Sequence, residues 1–162
     1  MQINELDINE IIQRLVFHEG CRLMPYYCSK GYKTIGVGRN LDTNPLTAEE
    51  IKICGDSYEK GITKNAAFYL LRNDIEKAKN SCLRKIPFYI TLDKERKYAL
   101  LDMCFQLGID GLLGFKNMLS AMGRGDWECA ARECLNSKYA KEDTPKRAKR
   151  ISETIKNGKF II

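Results

Sequence analysis

Residues 18–38, HEGCRLMPYYCSKGYKTIGVG, carry the clearest signal of the fold. Gly20 ends an amphipathic helix, and two short runs rich in apolar and aromatic residues follow it, at residues 23–27 and 33–37. They are separated by the turn-forming residues 29–31, Ser-Lys-Gly. Such runs around a glycine-containing turn predict a β-hairpin directly after a helix.

The same stretch spaces three chemically useful side chains as Glu19-x8-Cys28-x5-Thr34. A carboxylate, a thiol and a hydroxyl in this order can be pointed into one cleft by a helix that leads into a hairpin. Each residue also has an ordinary explanation. Glutamates at helix ends are usually solvated, a hairpin cysteine can be a small apolar residue, and threonine is a common strand former.

Composition narrows the classes of protein and partner. The 162 residues suffice for one domain, or two small lobes sharing a helix, with a core that needs no disulfide or metal. Seven cysteines without a CxxC pair, beside a single histidine, predict neither a zinc site nor a complete disulfide framework. A reducing compartment is favoured, and no cofactor is predicted.

The formal charge of +6 indicates an anionic partner such as nucleic acid, acidic lipid or the bacterial wall. The chain lacks an RNA-binding signature, a zinc knuckle and alternating aromatic and basic residues, which excludes nucleic acid as the leading choice. It also lacks an apolar run of membrane-span or signal-peptide length. We therefore expect a protein made without a leader and with no stable membrane insertion. We also expect a monomer.

Apolar residues at helical spacing predict a mostly helical chain. Thr63 is a candidate N-cap for the longest helix, and Thr144-Pro145 and Gly158 bracket the last one. Three glycines, Gly108, Gly111 and Gly114, interrupt the pattern, and the residues around Asn44-Pro45 read as irregular. The predicted helices are residues 8–18, 64–82, 92–107, 127–135 and a segment between 145 and 157.

These elements predict an α+β, predominantly helical fold in a single domain, residues 1–162. A small hairpin lobe takes in about residues 15–63, and a larger helical lobe takes in residues 1–14 and 80–162. Helix 64–82 connects them. Interfaces between lobes are favoured places for a site, so we expect a cleft where the two lobes meet.

Three blocks of the chain, in register, resemble the phage-type lysozymes, the endolysin family of the T-even bacteriophages. The blocks are residues 18–22 with 32–38, residues 103–119, and the segment with Trp127, Ala130, Ala131 and TPKRAKR at residues 144–150. The match is weakest between about residues 42 and 60. The resemblance implies the two-lobed phage-lysozyme fold, with a polysaccharide in the cleft, and a muramidase that hydrolyses peptidoglycan.

The resemblance also implies roles for individual residues. Glu19 would protonate the leaving oxygen, Thr34 would bond water or the sugar ring, and Arg147 would pair with Glu19 and position it. Burial raises the pKa of such an acid and a nearby cation lowers it, and the sequence leaves open which is stronger. Sugar contacts are implied for Asn40, Phe105, Gln106, Glu133 and Met118, the last standing where the family has serine.

Cys28 departs from the family pattern, because most phage-type lysozymes carry aspartate there, although some relatives use cysteine. A thiolate could hold the attacking water or bond to the anomeric carbon. Its ordinary pKa near 8.5 leaves little thiolate at neutral pH unless neighbours lower it, and Lys30 and Lys33 are the nearest cations in sequence. A passive apolar Cys28 is the alternative.

Two other functions are consistent with these residues. A lytic transglycosylase needs only Glu19, and a wall-binding module would keep the fold without catalysis. The family implies release from the host cytoplasm to the periplasm and wall by a holin-type partner. Arg39 and Asp74 match an interlobe ion pair of the family, which we interpret as a structural surface pair of small energetic weight.

Overall fold

Helices and one small antiparallel sheet build residues 7–160, the part of the chain that the computed structural model describes. Its α-helices and strands, in chain order, are α1 (Ile8–Glu19), β1 (Arg22–Tyr27), β2 (Lys33–Gly36), β3 (Arg39–Asn40), α2 (Ala48–Cys54), α3 (Lys64–Lys85), α4 (Lys94–Leu113), α5 (Lys116–Gly123), α6 (Trp127–Leu135) and α7 (Pro145–Asn157). The predicted α+β, predominantly helical fold is confirmed.

The chain divides within α3 into two units. Residues 8–77 contain the sheet and are called the sheet unit, whereas Asp7 and the described residues from Ala78 onward form the helical unit. Helix α1 belongs entirely to the sheet unit, although residues 8–14 were expected in the helical lobe. The cleft between lobes stays a prediction.

Strand β2 is central in the sheet and pairs antiparallel with β1 and β3. Ile35 of β2 is buried in a core with residues of α3, among them Ala67 and Leu70. Gly36 has a φ of 67°, and a Cβ added there would lie 3.5 Å from the Cβ of Ala67. The strand ends at Gly36, one residue before the predicted Val37, because this left-handed backbone departs from β geometry.

Helix α2 follows the irregular stretch around Asn44-Pro45 and lies in residues for which no helix was predicted. The Thr47 hydroxyl accepts a hydrogen bond from the backbone N–H of Glu50 at 3.1 Å. The Glu50 carboxylate in turn accepts from the backbone N–H of Thr47 at 3.0 Å. This reciprocal capping box, and not an apolar stripe, defines the start of the helix.

The long helices largely follow the predicted pattern. Thr63 caps α3 as predicted, with its hydroxyl accepting from a backbone N–H of the first turn at 3.1 Å, but the helix continues to Lys85. Asp93 caps α4, so this helix starts after Leu92. Gly108, with a φ of 76°, breaks its helical geometry where the glycine pattern predicted an interruption.

Helix α7 begins with Pro145 and ends at Gly158, whose φ of 68° lies in the left-handed region. Both boundaries confirm the prediction. Thr144 occupies the N-cap position, but its hydroxyl makes no capping bond. It accepts instead from Nε2 of Gln106 at 3.0 Å, which places the start of α7 against the middle of α4.

Membrane-span length and apolarity are not reached by any single helix of the described residues. Helices α4 and α5 reach them only when taken together, and they are bent by 100° against each other. Their apolar residues belong to the core of the helical unit, where Leu100, Met103 and Leu112 are fully buried.

Candidate active site

Glu19 is the last residue of α1, and its half-buried side chain lies against Gly38, which follows β2. A Cβ added at Gly38 would lie 2.8 Å from Oε2 and 2.9 Å from Cδ of Glu19. Gly38 also has a φ of 69°, which glycine adopts without steric cost. A glycine at this position therefore makes room for the carboxyl group of the predicted acid.

The thiol of Cys28 is held in the turn between β1 and β2. The turn is closed by the Cys28 N–H, which donates to the Tyr32 carbonyl at 2.9 Å, and by the Cys28 carbonyl, which accepts from Gly31 at 2.8 Å. Burial by itself raises the pKa of the thiol, but hydrogen bonds to the sulfur outweigh burial. The donors are the backbone N–H groups of Lys30, Tyr32 and Gly31 and the hydroxyl of Thr34. The pKa of Cys28 therefore lies below its ordinary value, which increases the thiolate fraction at neutral pH.

Lysine charge is not what lowers the pKa of Cys28, contrary to the sequence expectation. The Lys33 ammonium forms an ion pair with Glu59. Lys30 acts on the sulfur through its backbone N–H. The hydrogen bonds that the turn directs at the sulfur, and not nearby cations, lower the pKa of Cys28.

Thr34 lies on β2 with only 3% of its surface exposed. Its hydroxyl donates to the Tyr32 carbonyl at 2.9 Å and also reaches the Cys28 sulfur. A hydroxyl has one proton, so it serves one of these acceptors at a time. Ionisation of Cys28 makes the sulfur the stronger acceptor, and the two predicted residues are thereby coupled.

Tyr26 was not predicted, yet it lies beside the predicted catalytic groups. It is the direct cross-strand partner of Thr34 in the sheet, and Arg22 stacks over its ring at 4.5 Å. Burial raises the pKa of Tyr26, and the charges of Glu19 and Cys28 raise it further. Glu19 and Cys28 thus act electrostatically on the same phenol within the sheet unit.

Asn40, predicted to contact sugar, is half-buried at the end of β3. Its side-chain oxygen accepts from the backbone N–H groups of Asp42 at 3.0 Å and Thr43 at 3.1 Å. This turn commits the oxygen to the loop, so a sugar contact by Asn40 would use its amide N–H groups.

Arg39 forms a buried ionic cluster in the sheet unit, so the prediction of a weak surface pair with Asp74 is wrong. Arg39 is 3% exposed, and its fork donates to both carboxylate oxygens of Glu50, at 3.0 and 2.7 Å. Nη1 lies 3.2 Å from Asp74, which belongs to the same unit. Burial tends to raise the pKa of Glu50, but its bonds from Arg39 and Asn73 lower it to about 2. Burial raises the pKa of Asp74 to about 6 in spite of Arg39, with the charge of Glu50 adding to the rise.

Arg147 lies in the first turn of α7 and is buried. Its Nε donates to Oδ1 of Asp102, on α4, at 2.9 Å. Asp102 is 0% exposed, and its Oδ2 accepts from the Tyr98 hydroxyl at 2.9 Å. Asp102 was not predicted, although a single carboxylate in the apolar run Leu100–Cys104 was an available signal. The pairing of Arg147 with Glu19 stays a prediction.

The other predicted sugar contacts lie in the helical unit. Gln106 is held by Thr144 through Nε2, as described above, and Phe105 and Glu133 are half-buried. Met118 is only 1% exposed, so its side chain belongs to the core. Such burial disfavours a sugar contact by Met118, because only 1% of the residue's surface is accessible.

The predicted residues divide between the two units. Glu19, Cys28, Thr34 and Asn40 belong to the sheet unit, and the remaining five to the helical unit. Within the sheet unit, Cys28 and Thr34 are in contact.

Comparison with known proteins decides the family. The phage lysozyme family model matches residues 16–151. The chain is also 32% identical over 165 residues to probable T4-type lysozyme 1 of Dictyostelium discoideum, a match that covers 93% of this chain and 96% of that protein. The chain belongs to the phage lysozyme family.

This phage lysozyme is also similar to two further proteins, and the match covers a different share of each of them. Probable T4-type lysozyme 2 of Dictyostelium discoideum is 29% identical over 164 residues, with 96% of that protein covered. The pre-baseplate central spike protein of Enterobacteria phage T4 is 30% identical over 152 residues, but the match covers only 26% of that protein. Family membership makes the chain a lysozyme-type glycoside hydrolase that acts on peptidoglycan, which confirms the predicted family and enzyme class.

Proposed function

We propose that this phage lysozyme hydrolyses the β-1,4 bond between N-acetylmuramic acid and N-acetylglucosamine, with Glu19 as general acid and with Cys28 and Thr34 acting at the anomeric centre. The observation that carries the proposal is the turn that lowers the pKa of the Cys28 thiol. Glycoside hydrolysis needs a second, negatively charged group near an oxocarbenium-like centre. An aspartate is ionised at neutral pH by default, and a thiol of lowered pKa can take its place.

In the proposed reaction Glu19 gives its proton to the oxygen of the leaving N-acetylglucosamine as the bond from that oxygen to C1 breaks. The thiolate of Cys28 balances the positive charge that develops at C1. A water molecule held by the Thr34 hydroxyl adds to C1 and gives its proton to the thiolate. Solvent then returns a proton to Glu19 and removes one from Cys28, which restores both groups.

Product analysis on purified sacculi tests this reaction against the transglycosylase alternative. Hydrolysis leaves ordinary muramic acid reducing ends, whereas a transglycosylase leaves anhydrosugars lighter by one water. We expect the hydrolytic product. Anhydromuropeptides would show that the sugar's own hydroxyl attacks and that Cys28 is not needed.

Substitution and alkylation test the thiol itself. Cys28→Asp is expected to keep substantial activity and Cys28→Ala to lose most of it, because only the first retains a negative charge. Iodoacetamide should inactivate the wild type and spare Cys28→Asp. Cys129, half-buried on α6, supplies the matched control, since Cys129→Ala should stay active and remain sensitive to iodoacetamide. Wild-type rates in Cys28→Ala would make the thiol a bystander.

The place of action and the release partner that we propose are based on the net charge of the protein and on its family. A protein of charge +6 is attracted to the anionic wall. We propose that it acts there as a monomer, after release from the host cytoplasm by a holin-type, membrane-permeabilising partner. Lysis of intact cells only when such a partner is co-expressed, with a monomer in light scattering, is the expected result.

A further inference from the structure

Asp102 is a buried carboxylate to which the proposed chemistry assigns no role. It lies in the middle of α4 and is 0% exposed. Both of its oxygens are engaged by side chains from within the helical unit. Oδ1 accepts from Nε of Arg147 at 2.9 Å, and Oδ2 accepts from the Tyr98 hydroxyl at 2.9 Å. The carboxylate is therefore fixed in orientation as well as in position.

Stability alone does not account for a buried charge pair of this kind. Removing two charges from water costs several kcal/mol per ion, and their attraction rarely exceeds that cost by much. Well-packed apolar residues of similar volume usually serve a core as well or better. An ionic contact between α4 and α7 thus calls for a reason beyond packing, and orienting the arginine is one.

Tyr139 is a neighbour of the Asp102–Arg147 pair. The Tyr139 ring packs edge-on against Phe115, with centroids 5.8 Å apart. Burial raises the pKa of Tyr139, and the negative charge of Asp102 raises it further, whereas Arg147 opposes the rise. Tyr139 therefore stays protonated, and it acts on the pair as a neutral neighbour.

We propose that Asp102 is a positioning residue. It fixes the Arg147 guanidinium through Nε and so sets the direction in which the two Nη groups of Arg147 point during the reaction. A guanidinium is planar, so anchoring one nitrogen also defines the plane of the other two. The inference rests on the proposed reaction and on the role in positioning Glu19 that the family resemblance implies for Arg147. It extends that role to a carboxylate on α4, 45 residues away in sequence.

A double-mutant cycle on soluble peptidoglycan oligosaccharides tests the coupling. Asp102→Ala should lower kcat by roughly 10- to 100-fold, as expected when a catalytic group is misplaced by a fraction of an ångström. KM should change little, because the carboxylate does not touch the substrate. In an Arg147→Met background, the same Asp102→Ala substitution should cost no further kcat, since Asp102 acts through Arg147.

The conservative variant Asp102→Asn should restore kcat to within about threefold, because its side-chain oxygen still accepts from Nε. Tyr98→Phe is the matched control, since it removes the bond to Oδ2 and leaves the contact with Arg147. It should lower the melting temperature while kcat stays within about twofold. An equal loss of kcat in Tyr98→Phe and Asp102→Ala would assign the effect to packing and overturn the proposal.

Two further outcomes would overturn it. One is an Asp102→Ala effect of the same size in the wild-type and Arg147→Met backgrounds. The other is an Arg147 Nε–H that exchanges with solvent as fast as that of free arginine. This exchange is measured by NMR on the wild type, so it does not depend on the folding of any variant. A wild type that releases no hydrolytic product would refute the proposed function instead, and product analysis separates the two failures.

Discussion

Gly38→Ala is the sharpest test of how the sheet unit positions Glu19. The substitution adds one methyl group, at 2.8 Å from Oε2 and 2.9 Å from Cδ of that carboxyl. Ordinary contact begins at 3.4 Å. The carboxyl must therefore move by about 0.6 Å, which a flexible side chain can do at small cost in stability.

The size of each effect can be worked from these distances. A misplacement of 1 Å can cost about 10²-fold in rate, so we expect Gly38→Ala to lower kcat about tenfold. Separately, alanine at a φ of 69° costs roughly 1–2 kcal/mol in the left-handed region. For a protein of this size each kcal/mol lowers the melting temperature by about 2–4 °C.

Gly125→Ala is the matched control for this backbone cost. Gly125 has a φ of 74°, close to that of Gly38, and its added Cβ would meet nothing within 4 Å. Both variants should melt earlier by a similar amount, but only Gly38→Ala should lose kcat. Circular dichroism melts and initial rates on soluble peptidoglycan fragments measure the two quantities. Equal kcat in the two variants would refute the positioning of Glu19 by Gly38.

Three further predictions address the acid, the charge and the buried cluster. Glu19→Gln should slow lysis by about 10²- to 10⁴-fold without changing the melt, and a rate within about threefold of the wild type would contradict the role of Glu19. Lysis of sacculi should slow as the Debye length shortens from about 10 Å at 0.1 M salt to about 3 Å at 1 M, and a salt-independent rate would exclude steering by the +6 charge. The pKa of Asp74, raised from 3.8 to about 6, adds stability that is full below pH 3.8 and is lost as the pH rises through 6. That loss amounts to roughly 3 kcal/mol, so Asp74→Asn should show a smaller fall in melting temperature over that range. Glu50 acts in the opposite sense, because its stabilisation is lost as the pH falls from 4.5 toward 2.

Hydrophobic periodicity was sufficient for the helices that bury a stripe of apolar side chains. Helices α6 and α7 have the predicted first and last residues. Residues that start or stop a helix, such as Pro145 and Gly158, act on the local backbone and can be recognised in the sequence. Helix α2 was missed since its seven residues contain a single buried side chain, Glu50, and that residue is charged. The available signal was Thr47-x-x-Glu50, a capping box that needs no apolar run.

The candidate site shows where sequence reasoning ends. Residue types and spacing identified Glu19, Cys28 and Thr34, but the pKa of the thiol depends on where backbone N–H groups point in the turn. That direction is a property of φ and ψ, and charge in the sequence pointed instead to Lys30 and Lys33. The pairing of Asp102 with Arg147 was not predictable for another reason, since the two residues are distant along the chain and only tertiary packing brings them together.

Among the described residues, each unit buries one arginine against at least one carboxylate, and the two guanidinium groups are used differently. Arg39 commits both Nη atoms to Glu50 and its Nε to the Asn44 carbonyl at 2.8 Å, so all three nitrogens serve the sheet unit itself. Arg147 is anchored to Asp102 through Nε. This bond fixes the plane of the planar guanidinium, and such a geometry suits an arginine that acts on a second group. Coupling of Asp102 and Arg147 in kcat, together with a Tyr98→Phe variant that melts earlier but keeps its kcat, would distinguish an oriented arginine from a merely buried one.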